Sequence, residues 1–120
     1  AKEIASLNKS YDTDHILKIL KQEDFVKGYV KAGDKWEDIK FYRPGGCEQC
    51  NNEGYKGRLG IYEVLEVDDD IQKMITQRAT AEELETKSKE KGMLTMVEDG
   101  IAKAVKGITS IEEILRVTKE

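Results

Sequence analysis

Residues 42–65 read YRPGGCEQCNNEGYKGRLGIYEVL, and this stretch decides the fold that the sequence predicts. It holds half of the ten glycines in the chain, together with the only proline, Pro44, and the only two cysteines, Cys47 and Cys50. Glycine freely adopts backbone angles that other residues adopt at a cost, so this density predicts a tight loop shaped by its backbone. The first half of the stretch is therefore the candidate site.

The two cysteines have the spacing of a metal-binding turn. Two thiolates separated by two residues can hold one tetrahedral ion from a single turn, with backbone N–H groups pointing at the sulfurs. The residues after the second cysteine then need left-handed backbone angles, which Asn51 and Asn52 tolerate. A structural zinc takes four ligands, and beyond Cys47 and Cys50 the chain offers only His15 and scattered carboxylates. The sequence therefore predicts a zinc site that is incomplete.

Two other interpretations of Cys47 and Cys50 stay open. A thiol oxidoreductase would place such a pair at a helix N-terminus after a strand, where the dipole lowers the pKa of the thiol. Glycines and asparagines surround the pair here, which disfavours that chemistry. The remaining interpretation is a pair of thiols that binds no metal, because two ligands are missing. We expect His15 to be a surface residue of a helix rather than a ligand.

The second half of the stretch predicts a strand. Residues 58–67 read RLGIYEVLEV, with apolar side chains on both faces of an extended backbone. Such a strand needs cover on both faces. A shorter β-type run, residues 39–42, ends before Pro44. We expect the two runs to pair with each other, or the longer run to pair with a second copy of the chain, because bare strand edges recruit partners.

The segments on either side of this stretch have helical periodicity. Residues 12–22 predict a helix capped by Asp12 or Thr13. From residue 68 onward the pattern predicts four short helices. Their signals are the acidic turn of residues 68–70, a capping box of Thr80 with Glu83, an apolar run from Leu94, a capping box of Thr109 with Glu112, and stops near Gly92 and Gly107. The predicted fold class is α+β: a small loop-rich C-x-x-C subdomain, one long strand, and a bundle of about four short helices.

Composition excludes several functions. The 120 residues carry a formal net charge of −4, which removes the basic field that nucleic-acid binders usually present. No apolar run of about 18 residues and no signal-peptide pattern occurs, so we expect a cytoplasmic protein. The chain also lacks a phosphate-binding G-x-x-x-x-G-K-[ST] loop, a Ser/His/Asp set and an H-E-x-x-H motif. By itself it is therefore not expected to be an enzyme.

Taken as one unit, the run from Tyr42 to Leu65 resembles the type II secretion and type IV pilus-assembly ATPases. The likeness covers the chain from about Phe41 to its end, and includes Asp69-Asp70-Ile71, Gly92-Met93-Leu94-Thr95, Glu98-Asp99-Gly100 and residues 107–118. The resemblance implies a hexameric traffic ATPase whose RecA-like core, with the sites for ATP and magnesium, lies upstream of this stretch. It also implies that residues 58–66 form a strand of the RecA-like sheet and that the later helices form a C-terminal helical subdomain.

The resemblance further implies zinc. Family members commonly bind one zinc through two C-x-x-C pairs, of which Cys47 and Cys50 correspond to the second. The first pair would fall just before residues 9–12, where this chain has Ala5 and Asn8. Residues 23–40 match no part of the family pattern and are interpreted as an insertion. The predicted division is therefore a C-x-x-C subdomain over residues 1–56, and the terminal strand with the helical subdomain over residues 57–120.

The predicted role is a non-catalytic one within the motor. This part would position the motor on neighbouring subunits of a homo-hexamer or on the inner-membrane platform protein, with the protein peripheral to that membrane through its partners. A free-standing zinc-knuckle adaptor is the alternative, although Asn52 stands where the C-x-x-C-x-G-x-G pattern has glycine. A small thiol oxidoreductase is the third hypothesis, and the thiol pKa of Cys47 would separate it from the others.

Overall fold

All regular secondary structure is helical in residues 2–119, the part of the chain that the computed structural model describes. Six α-helices and three short 3₁₀ turns are joined by loops. The helices are α1 (Lys2–Ser10), α2 (Thr13–Gln22), α3 (Asp69–Thr76), α4 (Ala81–Glu90), α5 (Met96–Val105) and α6 (Ile111–Thr118), and the 3₁₀ turns are Asp24–Val26, Trp36–Asp38 and Glu48–Cys50. Among these residues, no helix is long and apolar enough to cross a membrane.

Side-chain caps explain where most of these helices begin. Asp12 accepts a hydrogen bond from the backbone N–H of His15 at the start of α2, which confirms the predicted helix. Asp68 does the same for Ile71 at the start of α3. The predicted capping box is present at α4, where Thr80 and Glu83 each accept from the backbone N–H of the other. These starts follow from interactions within one turn of helix.

The start of α6 differs from the prediction. Ser110, not Thr109, is the N-cap, and its hydroxyl accepts from the backbone N–H of Glu113 at 3.2 Å. The capping box of Thr109 with Glu112 is therefore wrong by one residue. Serine and threonine both favour the N-cap position. With Ser110 as the cap, Ile111 and Ile114 lie in the interior at 3% exposure each.

Helix α1 was not predicted from the sequence. It spans Lys2–Ser10 and buries Leu7 completely. The helix packs against α6, which is distant in the sequence, and Tyr11 just after it donates a hydrogen bond to Thr118 at 3.3 Å. Without that contact, nine residues with few apolar side chains are too short to form a stable helix in water.

One hydrophobic core joins the two ends of the chain. Helix α5 is its centre and contacts both α2 and α6. The buried apolar side chains of this core come from α1, α2, the segment after α2, α5 and α6: Leu7, Ile16, Leu20, Val26, Val30, Ile39, Ile101, Ala102, Val105 and Ile114. The core thus draws on residues from both sides of position 56, where the predicted domain boundary lies. That boundary stays a prediction.

The predicted α+β fold class is wrong, because no strand forms within residues 2–119. Residues 58–67 have no regular secondary structure, and they lack the backbone ladder to a neighbour that a strand requires. Their backbone is held by side chains of α5 instead: the N–H of Tyr62 donates to Asp99, and Lys103 donates to the carbonyl of Gly60. The predicted pairing with residues 39–42 is therefore also wrong.

Residues 23–42 contribute to the core rather than to a sheet. Ile39 is 6% exposed and packs in the core, although residues 39–42 form no strand. The rings of Trp36 and Phe41 stack with their centroids 6.1 Å apart. Val26, which ends the first 3₁₀ turn, and Val30, which follows that turn, are also buried. The segment that the sequence analysis interprets as an insertion is thus an integral part of the fold.

Candidate functional site

The cysteine loop, residues 43–54, projects from the helices into solvent. Its 3₁₀ turn, Glu48–Cys50, begins at Cys47 and brings the two Sγ atoms to 3.3 Å from each other. The sulfur of Cys50 accepts hydrogen bonds from the backbone N–H groups of Cys47 and Gly54, each at 3.3 Å. Both thiols are free, and that of Cys47 is exposed. The predicted arrangement, with backbone donors directed at sulfur, is confirmed for Cys50.

Left-handed backbone angles close the loop, as predicted. Asn51 has φ 52° and Asn52 has φ 60°, and the N–H of Asn52 donates to the carbonyl of Cys47 at 2.9 Å. Gly54 has φ 84° and lies so close to Pro44 that a Cβ there would collide with the proline ring. Contacts within the loop itself therefore hold its backbone in a compact conformation.

The same contacts favour the thiolate form of Cys50. The Cys47 side chain is the largest cause, followed by the N–H groups of Gly54 and Cys47, and together they lower the pKa of the Cys50 thiol below its ordinary value. A thiolate is the form of cysteine that binds metal ions and attacks disulfides. The loop is thus chemically suited to bind a soft metal ion or to react with a disulfide.

The residues of one chain do not fit the four-ligand zinc site that the resemblance implies. Around zinc the Zn–S distance is about 2.3 Å, which separates two tetrahedral sulfurs by about 3.8 Å. Cys47 and Cys50 need only a small opening to reach that separation. Within residues 2–119, however, no group of three or more His, Cys, Asp or Glu side chains is placed to hold a metal. One chain therefore offers two ligands.

The other residues considered for this site lie elsewhere. The Nε2 atom of His15 on α2 lies 3.7 Å from Glu98 on α5, so His15 belongs to the packing of these two helices. Ala5 and Asn8 lie on α1, and the amide of Asn8 accepts from the hydroxyl of Thr13 at 2.8 Å. Both line a cleft of about 910 Å³ that Pro44 also borders.

A second feature of the surface is the strap, which we define as residues 57–67. The strap is tied to α5 at three points. Its backbone makes two of them, Tyr62 N–H to Asp99 at 2.9 Å and Gly60 C=O to Lys103 at 2.7 Å. In the third, the carboxylate of Glu63 accepts from the backbone N–H of Met96 at 3.2 Å. Ile61 packs against the core. The sequence analysis missed these anchors, although Asp99 and Lys103 are four residues apart on one helix, a spacing typical of an ion pair.

The strap exposes most of its apolar side chains. Val64 is 73% exposed and Tyr62 is 65% exposed, although the Tyr62 ring also lies 5.2 Å from the Lys103 ammonium. The other exposed apolar residues of the strap are Leu59, Leu65 and Val67. Exposed apolar patches often mark a contact with another molecule or another part of an assembly, and five exposed apolar residues lie within the eleven of the strap. The strap is thus a candidate protein interface.

Comparison with known proteins gives a consistent family. Residues 13–116 match the family model described as type II/IV secretion system protein. The chain is 46% identical over 84 residues to the type IV pilus assembly ATPase PilB of Thermus thermophilus and 44% identical over 86 residues to the type II secretion system ATPase E of Vibrio cholerae. It is 41% identical over 87 residues to PilB of Pseudomonas aeruginosa.

These matches cover most of this chain and little of each relative. They span 70% of the chain for the Thermus protein and 72% for the other two. They span 9%, 17% and 15% of the Thermus, Vibrio and Pseudomonas proteins, respectively. The chain therefore corresponds to a small part of each of these relatives.

Proposed function

We propose a function that starts from the family to which this chain belongs, the type II/IV secretion system protein family. The chain is a non-catalytic part of a hexameric motor ATPase. Its role is to position the motor on neighbouring subunits or on the membrane platform protein. The chain covers only a small fraction of each relative, which supports the interpretation that it is one part of a larger machine. The names of those relatives, which include ATPase, support an ATP-driven motor as the machine.

The single observation that carries this proposal is the exposed strap. Burying an apolar side chain the size of valine or leucine contributes about 1.5–3 kcal/mol. Five of the eleven strap residues are exposed and apolar, so a large favourable free energy of burial is still available to a contact. A contact with a neighbouring subunit would use it. We assign the strap, with Val64 at its most exposed point, to that contact.

The anchoring of the strap supports the same role. The side chains of Asp99 and Lys103 hold its backbone against α5, and both are less than one-fifth exposed. A segment held in this way has already lost much of its conformational entropy before a partner binds, which makes association more favourable. The strap is thus a preorganised surface rather than a mobile tail.

The lack of known catalytic motifs in the sequence supports the proposal that ATP chemistry belongs to other parts of the motor. None of the 120 residues forms a G-x-x-x-x-G-K-[ST] loop that could hold the phosphates. The first test is therefore the steady-state ATP turnover of the purified chain, which we expect at background. Turnover that copurifies with the chain through successive columns, and disappears when the chain is removed with a specific antibody, would contradict a non-catalytic role.

The second test uses a chimera in which this chain replaces the matching part of the Thermus PilB. Val64→Asp should reduce both subunit assembly and ATP turnover, because it places a charge in the proposed contact. Ile108→Asp is the matched control, since Ile108 is a 53% exposed apolar residue outside the strap. Assembly is measured by light scattering after size-exclusion chromatography. Equal assembly and turnover of the two variants and the parent chimera would overturn the assignment of the strap.

A further inference from the structure

We propose that the cleft beside α1 binds a short cationic segment of a partner protein. The cleft has a volume of about 910 Å³, and its lining residues come from positions 3–14, 36–44 and 110–112. It is therefore separate from the strap. Pockets that hold drug-sized ligands have volumes of about 300–1,000 Å³, so this cleft has room for several residues of a peptide.

Apolar side chains line much of the cleft. Ile39 and Ile111 are buried, whereas Trp36 and Phe41, whose rings stack on each other, are half-buried. A ligand with apolar side chains would remove them from water by packing against these residues. The aliphatic stems of Lys and Arg can lie on the same kind of surface while their charged ends stay in water.

Exposed carboxylates line the same cleft. Asp14, Glu37 and Glu112 are all exposed, and in the described part of the chain none of them belongs to an ion pair. Among the lining residues the cation is Arg43, which is already paired with Glu3 at 2.8 Å. The cleft thus presents uncompensated negative charge, which attracts Lys and Arg side chains and repels nucleotides, nucleic acids and anionic lipids.

A hydrogen-bond donor without a partner favours a peptide over a simple amine. The Nε1 atom of Trp36 is buried and has no hydrogen-bond partner among the residues that the structure describes. An indole N–H is only a donor, and so is a protonated amine, so a polyamine cannot pair with it. A peptide has a carbonyl acceptor in every residue. Because Nε1 is covered in the unbound chain, the Trp36 ring has to shift when a carbonyl reaches it.

The test begins with a library of heptapeptides without tryptophan, displayed on phage and selected on the immobilised chain at low salt. We expect the selected peptides to be enriched in Lys and Arg next to apolar residues. The most frequent peptide is then synthesised and titrated against the chain, with the emission of Trp36, the only tryptophan, as the readout. Binding should change this emission and should weaken as the salt concentration rises, because salt screens the attraction between the charges.

Two triple variants with the same change in charge locate the site. The first neutralises the carboxylates of the cleft: Asp14→Asn, Glu37→Gln and Glu112→Gln. It should weaken binding of the synthetic peptide about tenfold, since three ion pairs are lost. The control neutralises three exposed carboxylates outside the cleft: Glu48→Gln, Glu53→Gln and Glu66→Gln. It should stay within about twofold of the parent chain. Circular dichroism checks that both variants are folded.

A single variant tests the unpartnered donor. Trp36→Phe keeps an aromatic ring in the cleft but removes the indole N–H. Calorimetry should show binding about fivefold weaker than in the parent chain, because the peptide carbonyl loses its donor. Affinity equal to that of the parent chain would overturn the choice of a peptide as the ligand.

Three further outcomes would overturn the proposal: selection of no common peptide or of acidic peptides, equal loss of affinity in the two triple variants, or binding that leaves the emission of Trp36 unchanged. Spermine that displaces the peptide at the same concentration would also overturn it, because a simple cation would then suffice as the ligand. Val64→Asp, which tests the strap, should leave the affinity for the peptide unchanged.

Discussion

Asp99 of α5 accepts a hydrogen bond from the backbone N–H of Tyr62, which lies 37 residues earlier in the chain, at 2.9 Å. The same carboxylate pairs with Lys103 at 2.7 Å, and Lys103 donates to the carbonyl of Gly60. An ion pair on one helix thus satisfies backbone groups that a neighbouring strand would satisfy in a sheet. This relationship explains how the strap is held against α5 although it forms no strand.

The first prediction concerns this anchor. Asp99→Ala should destabilise the chain by about 1–3 kcal/mol, because it removes the acceptor of Tyr62 and leaves Lys103 half-paired. Amide hydrogen exchange over residues 57–67 should become faster than in the parent chain, as measured by mass spectrometry. Glu113→Ala, which breaks an exposed ion pair with Arg116, is the control and should leave exchange in the strap unchanged. Unchanged exchange in Asp99→Ala would show that the anchor does not hold the strap.

The second prediction concerns the close approach of α5 and α6 at Gly100. Gly100→Ala usually stabilises a helix interior by about 1 kcal/mol. Here the added Cβ would lie 2.7 Å from Cδ1 and 3.0 Å from Cγ2 of Ile114, which is buried, so we expect a loss of about 1–3 kcal/mol. The measurement is the free energy of unfolding in urea.

Two variants make this prediction specific. Ile114→Val removes the Cδ1 atom nearest to the added Cβ, so the double variant with Gly100→Ala should lose less than the sum of the two single losses. Gly33→Ala is the matched control, because a Cβ at Gly33 meets open space. A stabilised Gly100→Ala chain would mean that the two helices lie further apart than the structure shows.

The third prediction separates the two adjacent candidates for the cap of α6. Ser110→Ala should cost about 1–2 kcal/mol, because the hydroxyl of Ser110 caps Glu113 and also hydrogen-bonds the Tyr55 hydroxyl at 2.5 Å. Thr109→Ala should stay within about 0.5 kcal/mol of the parent chain. Thermal unfolding of both variants decides between them, and the reverse order of stabilities would restore Thr109 as the cap.

The fourth prediction concerns pH. The ammonium of Lys91 is the largest cause that lowers the pKa values of Asp68 and Asp70 below the ordinary value. A lowered pKa in the folded chain means that these carboxylates stabilise it above the unfolded pKa of about 3.9, and that this contribution is lost as the pH falls through the folded values. Lys91→Gln should raise both pKa values and make the stability less dependent on pH below about 4.

Carboxyl NMR titration of Asp68 and Asp70 measures this effect directly. Lys89→Gln removes the same charge two residues earlier in the chain but disrupts a pair with Glu85 instead, so it is the matched control. We expect the control to leave the titration of both aspartates close to that of the parent chain. Equal titration curves in the Lys91 and Lys89 variants would contradict the ion pairs of Lys91 with Asp68 and Asp70.

The fifth prediction tests the position assigned to a first cysteine pair. Arg43, the first residue of the cysteine loop, pairs with Glu3 of α1 at 2.8 Å, so α1 lies beside the start of the loop. The double variant Ala5→Cys, Asn8→Cys should bind one zinc per monomer and melt at a higher temperature with zinc, because one chain then holds four thiolates. Substitution of both residues by serine is the control. Metal binding no tighter than that of the parent chain would mean that α1 is not where the first pair belongs.

The helices and the cysteine loop could be predicted largely from the sequence. Their signals act over four residues or fewer: Asp68 at the start of α3, the box of Thr80 with Glu83, and the asparagines after Cys50. Family membership was confirmed because the run around Cys47 is long and specific. Helix α1 was missed because its stability comes from α6, which lies a hundred residues away in the chain.

What the sequence by itself determined is therefore the set of helices with local caps, the left-handed turn at Asn51, and the family. The tertiary structure alone decided whether residues 58–67 form a strand, which of Thr109 and Ser110 caps α6, and that Ile39 is a core residue. The physical reason is the range of the interactions. A cap is completed by the next turn of its own helix, whereas a strand needs a partner whose position no local pattern specifies.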